Sequence, residues 1–263
     1  MRERRLVFGE AADLYDRHRP AYPEQLIDEL VGVAGLDGRR AVLEVGAGTG
    51  KATLMFAARG IPVVAVEPDA EMAAIWRRNC AAHADLEIEH GDFEDWDPAG
   101  RRFPLVFSAQ AWHWVDPATG YAKAAEVLSS PGTLAAFWNR VAWDRVAVRD
   151  ALLAAYREVA PDLPVGGLHP ANLHPDADAD WDREVAAVEK LADSEIRFYE
   201  WALDYRAKDY VGLLATNSEI LLLDEERREP LFAAVAEVID AHGGVLTLPM
   251  RTRLCLARRV PDV

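Results

Sequence analysis

Short apolar runs alternate with amphipathic stretches through the first half of the chain. Residues 41–45 (AVLEV), 62–66 (PVVAV), 86–90 (LEIEH), 105–109 (LVFSA) and 133–138 (TLAAFW) read as five strands. Strands this apolar belong to a parallel sheet covered on both faces. Between them lie helical patterns. Residues 23–33 place Leu26, Ile27, Leu30 and Val31 on one stripe, with Pro23 at the helix start. Residues 49–58, 70–82 and 121–128 follow the first, second and fourth strands. Alternation of strand and helix implies right-handed crossovers and a doubly wound α/β sheet with helices on both sides.

The rhythm changes after residue 138. Residues 145–159 predict a longer amphipathic helix, and 161–182, rich in Pro, Gly, His and Asp, an irregular cap. A strand over 196–205, helices over 210–215 and 225–242, and a last strand over 251–257 complete the pattern. The second of these helices is stopped by Gly243-Gly244.

A length of 263 residues suits one domain with one sizeable core or a domain with a modest cap. The net charge of −15 disfavours nucleic acid and anionic membranes as partners. The doubled arginines 77–78, 101–102, 227–228 and 258–259 are scattered, which makes them solvated faces and no nucleic-acid stripe. No run of about 18 apolar residues offers a membrane span. The basic start is interrupted by Glu10 and Asp13 before a signal-peptide core could form, so a cytoplasmic location is expected. Cys80 and Cys255 read as buried small hydrophobes. His169, His174, Asp176, Asp178 and Asp180 are the one metal-like grouping, but their spacing fits a solvated acidic loop and no metal is expected.

Candidate chemistry concentrates where strands end. Leu43-Glu44-Val45-Gly46-Ala47-Gly48-Thr49-Gly50 joins the first strand to a helix, and glycines there let backbone approach a ligand closely. A nicotinamide fingerprint would place the third glycine three positions after the second, whereas Gly50 follows Gly48 by two. A phosphate loop would follow Lys51 with a hydroxyl residue, and Ala52 stands there. Glu67, in Val66-Glu67-Pro68-Asp69 just past the second strand, can accept from ribose hydroxyls or simply be a solvated loop acid. Asp92-Phe93 follow the third strand and suit the edge and face of an adenine.

With these three signals in order, the chain resembles the class I S-adenosylmethionine-dependent methyltransferases. FGEAADLYDRHRPAYP near the start and SAQAWHWVD after the fourth strand are similar to the methyltransferase type 11 branch, which includes trans-aconitate-methyltransferase-like proteins. The resemblance covers about residues 8–140 with specific motifs. It implies a Rossmann-like, mostly parallel sheet of seven strands ordered 3-2-1-4-5-7-6, with strand seven antiparallel and a small lid. It divides a single domain into N-terminal cap helices (1–34), a cofactor-binding core (35–140), a partial lid (141–220) and a C-terminal helix and strand (221–263).

The cofactor implied is S-adenosylmethionine, with S-adenosylhomocysteine as product. By position, Glu44, Gly46, Ala47, Gly48 and Gly50 would frame its methionine part and Glu67 with Pro68 its ribose. Asp92 and Phe93 would flank the adenine, and Gln110 and Ala111 border the sulfonium. Tyr15 and Arg19 lie in a segment expected to close over the cofactor, with Arg19 meeting its carboxylate.

His113 is the candidate general base, or a structural histidine between packed aromatics. Trp112, Trp114, Trp138 and Trp143, with Tyr22 and Asn139, are candidates for the wall of an acceptor pocket, and Arg140 stands near its rim. The expected reaction is methyl transfer to a small-molecule acceptor by in-line displacement. A non-catalytic cofactor-binding protein and an NAD-dependent oxidoreductase are the alternatives.

Overall fold

The computed structural model describes residues 12–173 and 180–261. The N-terminal helices are α1 (Ala12–His18) and α2 (Glu24–Val33). Then come β1 (Val42–Val45), α3 (Lys51–Ala57), β2 (Val63–Glu67), α4 (Ala70–Cys80), β3 (Leu86–His90) and β4 (Phe103–Ala109). A 3₁₀ turn (Trp112–Trp114) leads to α5 (Pro117–Val127) and β5 (Leu128–Val141). The remainder is α6 (Arg149–Val159), α7 (Trp181–Ala186), β6 (Leu191–Arg206), α8 (Ala207–Leu214), α9 (Ser218–Leu221), α10 (Glu225–Ala241) and β7 (Val245–Arg259).

The seven strands form one sheet, ordered β3-β2-β1-β4-β5-β7-β6. The first five pair in parallel, and β7 runs antiparallel to both β5 and β6. Period-two alternation feeds two faces at once: in β4, Val106 joins the core on one side while Leu105 and Phe107 join the core on the other. Cys80 and Cys255 are free and buried.

The last three strands are longer than their apolar patterns predict, at both edges of the sheet. Beyond the sheet centre, β5, β6 and β7 project past the ends of their neighbours and need a cover of their own. Val141, Tyr205, Leu246, Leu248 and Met250 pack there with Leu152 and Tyr156 of α6, Tyr210 and Leu213 of α8, and Leu231, Val235 and Ile239 of α10. This second core sits above the carboxyl edge of the parallel strands, where Trp143 is also buried.

The irregular segment read over 161–182 ends in a helix that its composition concealed. Asp180 caps α7 by accepting from the Arg183 N–H. Trp181 then drops into the core, its Nε1 donating to the Leu256 carbonyl at 3.0 Å and its ring 5.5 Å from that of Tyr121. His174, Asp176 and Asp178 of the metal-like grouping lie outside the described residues. Because Trp181 and Val185 are the side chains by which α7 is buried in the core, Trp181→Ala should destabilise the protein by about 3–5 kcal/mol. Urea unfolding measures this, and a loss below about 1 kcal/mol would show that the helix is not anchored this way.

Candidate functional site

The carboxyl ends of β1, β2 and β4 and the loop after β3 open into one cavity of about 680 Å³. β1 and β4 are adjacent and parallel, but their connections leave in opposite directions across the sheet, and the crevice forms there. Gly46 and Gly48 line it from the first loop, Glu67 and Pro68 from the second, Asp92 and Phe93 from the third, Gln110 and Ala111 from the fourth. Tyr15 and Arg19 line it from the N-terminal segment.

Gly46 is demanded twice over. Its φ is +71°, in the left-handed region, and a Cβ there would collide with Ala111 Cβ. Gln110, next to that contact, is itself left-handed at φ +65°, a conformation non-glycine residues adopt at a cost. Its N–H donates to the Phe137 carbonyl at 2.8 Å, which fixes the turn out of β4. Gly50 serves packing instead and lines no part of the cavity: a Cβ on it would stand 2.9 Å from Trp76 Cδ1.

Glu67 is the last residue of β2, not the first beyond it. Its carboxylate is buried and bridges the first two loops: Oε2 accepts from Gly48 N–H at 2.8 Å and Oε1 from Asp69 N–H at 2.9 Å. Asp92 is half-buried, and its carbonyl accepts from Trp96 N–H at 2.9 Å. The Phe93 ring lies 6.4 Å from Trp96 and 6.1 Å from Trp112.

Glu44, Ala47 and Tyr22 stand apart from the main cavity, around a small annex of about 40 Å³ shared with Tyr15, Arg19 and Lys51. Glu44 is 1% exposed and takes a hydrogen bond from Thr53 Oγ1, which in turn accepts from Trp76 Nε1 at 2.8 Å. Burial raises its pKa to about 8; the Thr53 bond works against that rise and the Glu67 charge adds to it. Tyr22 presents its ring edge-on to Phe137 at 4.8 Å.

The N-terminal segment is fastened on both sides. Asp16 takes Lys51 Nζ on its carbonyl at 2.5 Å and Asn79 Nδ2 on its carboxylate at 3.0 Å. Arg19 reaches the other way: Nε donates to Thr216 Oγ1 at 2.7 Å and Nη2 to the Thr216 carbonyl at 2.9 Å. Its guanidinium carbon lies 5.3 Å from the centre of the Tyr15 ring.

At the far end the wall is built from the second core. Val141, Leu168, Tyr205, Leu213, Leu248 and Met250 line it, with Asn217 and Glu219 beside them. None of these was a candidate site residue from sequence: Leu248 and Met250 fell in the C-terminal helix and strand and the others in the lid. Asn139 lines this end with both ends of its amide engaged, Nδ2 donating to Ala21 O at 2.9 Å and Oδ1 accepting from Thr252 Oγ1 at 2.7 Å. Arg140 enters beside it, with Nη1 3.5 Å from Gln110 Oε1.

Of the four tryptophans expected in the pocket wall, Trp114 alone is there. Trp112, Trp138 and Trp143 are each 1–2% exposed and belong to the cores. Trp112 faces inward because a short 3₁₀ turn puts its neighbours on different sides, and it meets Tyr121 edge-on at 5.2 Å. His113, between the two, lines the cavity. Its Nδ1 accepts from Trp138 Nε1 at 3.1 Å, and its pKa is pushed down to about 4, by desolvation first and then by Arg140. A ring already receiving an N–H at one nitrogen carries its own proton on the other, which is at odds with the general-base role expected of it.

Residues 42–132 match the family model of the methyltransferase domain. An uncharacterized methyltransferase of Mycobacterium tuberculosis is 40% identical over 148 residues, 55% of this chain and 58% of that protein. A Saccharomyces cerevisiae protein named as an S-adenosylmethionine-dependent methyltransferase is 27% identical over 147 residues, 54% of this chain and 50% of its own. The chain thus spans between half and three-fifths of the length of these relatives. The solved structure of an Anaeromyxobacter dehalogenans protein named as a type II methyltransferase superposes with a TM-score of 0.64 at 24% identity, covering 93% of this chain and 99% of that one. At that identity the likeness is one of fold.

Two substitutions test the site's construction. Gly46→Ala should cost about 1–3 kcal/mol through strain and the clash with Ala111, and Ala111→Gly in the same chain should restore part of it. Denaturant unfolding of the single and double variants reads both effects. Glu44 has its pKa raised on folding, so its contribution to stability is complete below about 4.5 and is lost as pH climbs through about 8. Glu44→Gln mimics the protonated acid, so the variant should gain on the parent across that window by an amount on the order of a few kcal/mol. Parallel melting curves for the two proteins would refute this.

Proposed function

We propose that this chain, which carries a methyltransferase domain on the class I fold, binds S-adenosylmethionine and transfers its methyl group to a small molecule. One observation carries the reading: a single cavity joins the glycine loop, the β2 acid, the post-β3 acid and aromatic, and the left-handed turn after β4 to a chamber beyond them walled in part by Val141, Leu168, Leu213, Leu248 and Met250. A volume of about 680 Å³ suits a nucleoside-sized ligand together with a small acceptor.

The residues present fit that cofactor. The Glu67 carboxylate accepts from both loops and lines the cavity, where its oxygens can accept from a ribose diol. Asp92 and Phe93 offer an acceptor for an exocyclic amine and a ring to pack on a base. Gly46, Gly48 and Tyr15 border the methionine part, and Arg19 offers its carboxylate a cation. When bound, the sulfonium supplies a methyl carbon open to in-line attack.

The protein's work is then to position the acceptor and exclude water, which a chamber closed by the lid can do. We read residues 141–220 as that lid and 35–140 as the cofactor core. The acidic surface favours a small-molecule acceptor over nucleic acid. No helix among the described residues is long and apolar enough to cross a membrane.

Calorimetric titration with S-adenosylhomocysteine, with NADH in parallel, tests the reading. Micromolar binding of the first and none of the second is expected. Asp92→Ala should weaken it by about 10- to 100-fold, as the loss of one charge-assisted hydrogen bond would. Binding of NADH alone would overturn the proposal.

A further inference from the structure

His113 stands in the acceptor half of the cavity, on the turn that follows β4. Trp114 lies beside it with ring centres 4.7 Å apart, and Trp138 comes up from β5 to meet Nδ1. An indole nitrogen can only donate, so Nδ1 must hold a lone pair. The one proton of a neutral imidazole is then on Nε2.

Trp138 cannot easily yield. It is 2% exposed and stands opposite Arg253 in the ladder between β5 and β7. Turning the imidazole away would leave a buried indole N–H unsatisfied. Protonating Nδ1 would set two N–H groups against each other and put a second cation near Arg140, which stands two residues on in β5. Glu94 and Glu219 line the same cavity, Glu94 accepting from Asp116 N–H at 2.8 Å and Glu219 from Ser218 Oγ at 3.2 Å, and the charge that acts on the ring is that of Arg140. The ring is therefore kept neutral by its closest neighbours while more than a third of its surface opens on the cavity.

We propose that Trp138 locks His113 as the Nε2-protonated tautomer, making it a hydrogen-bond donor to the acceptor molecule and no base towards it. This rests on the methyl-transfer reading above. The acceptor is then of a class that brings its own lone pair, an oxyanion. Its oxygen forms the new bond to the methyl carbon, the carbon–sulfur bond breaks, and the electron pair leaves on sulfur. Anion and sulfonium become two neutral groups with no proton to dispose of. Trp138 is a positioning residue in this scheme, and His113 holds the acceptor.

Long-range ¹H–¹⁵N spectra of ring-labelled histidine across about pH 5 to 8 decide the tautomer, with His113→Gln identifying the signal. The His113 ring should show a bare Nδ1, a protonated Nε2 and no titration in that range. In Trp138→Phe the lock is gone, and the midpoint should rise by about one unit or more. A protonated Nδ1 in the parent protein, or a parent midpoint near the ordinary value of about 6.5, overturns the proposal. With S-adenosylhomocysteine saturating, small carboxylates should bind better than their matched amides and should lose about tenfold in His113→Phe, whose ring has no donor. Carboxylates that bind no better than amides overturn the acceptor class. Failure of S-adenosylhomocysteine to bind would instead strike the methyl-transfer reading and leave the tautomer spectra standing.

Discussion

The carboxyl edge of the sheet depends on how closely two chains can approach as they leave it. β1 and β4 run side by side, and the residues after them must part to make room for a ligand. They part around the contact between Gly46 and Ala111, where no side chain beyond hydrogen fits on the first. That contact sets Gln110 in its left-handed turn and points the 3₁₀ segment after it. The position of His113, the inward turn of Trp112 and the outward turn of Trp114 all descend from it.

Around this point Glu67, Asn139 and Arg19 are hydrogen-bonded before any ligand arrives. Glu67 ties the glycine loop to the start of α4, Asn139 ties the N-terminal segment to β5 and β7, and Arg19 ties it to the turn before α9. All of these but the Asp69–Glu67 bond join residues far apart in sequence, so the cavity is bordered by residues whose own geometry is held from a second side. A site preorganised in this way loses little entropy on binding. Its two ends also differ in kind: the loops supply backbone and carboxylates, while the extended ends of β5, β6 and β7 supply a largely apolar wall carrying Arg140 and His113.

The first half of the fold was legible because its signals are local. Period-two burial, a glycine loop at a strand end and acids at the next two strand ends are all properties of neighbouring residues. They placed Glu67, Asp92 and Phe93 at one crevice, the family resemblance added Gln110 and Ala111, and these residues do line one cavity. The strand order and the antiparallel β7, expected from family resemblance, are also those observed. Element ends were less readable. α5 begins four residues before the predicted start, at Pro117 behind an Asp116 cap, and α7, held by Trp181 and Val185, was hidden at the end of a segment rich in Pro, Gly, His and Asp.

Sequence by itself thus determined the sheet's polarity, the loops that border the crevice and the chemistry those loops can offer, since each depends on a short run of residues. It could not decide where long-range contacts point a side chain. Four tryptophans near the ends of two strands looked alike as pocket walls; three of them are core, because packing across the sheet claimed them. His113 looked like a base, and only the indole of Trp138, 25 positions away in sequence and one hydrogen bond away in space, determines which of its nitrogens carries the proton. A tautomer belongs to the partner as much as to the residue, and partners are brought together by tertiary structure.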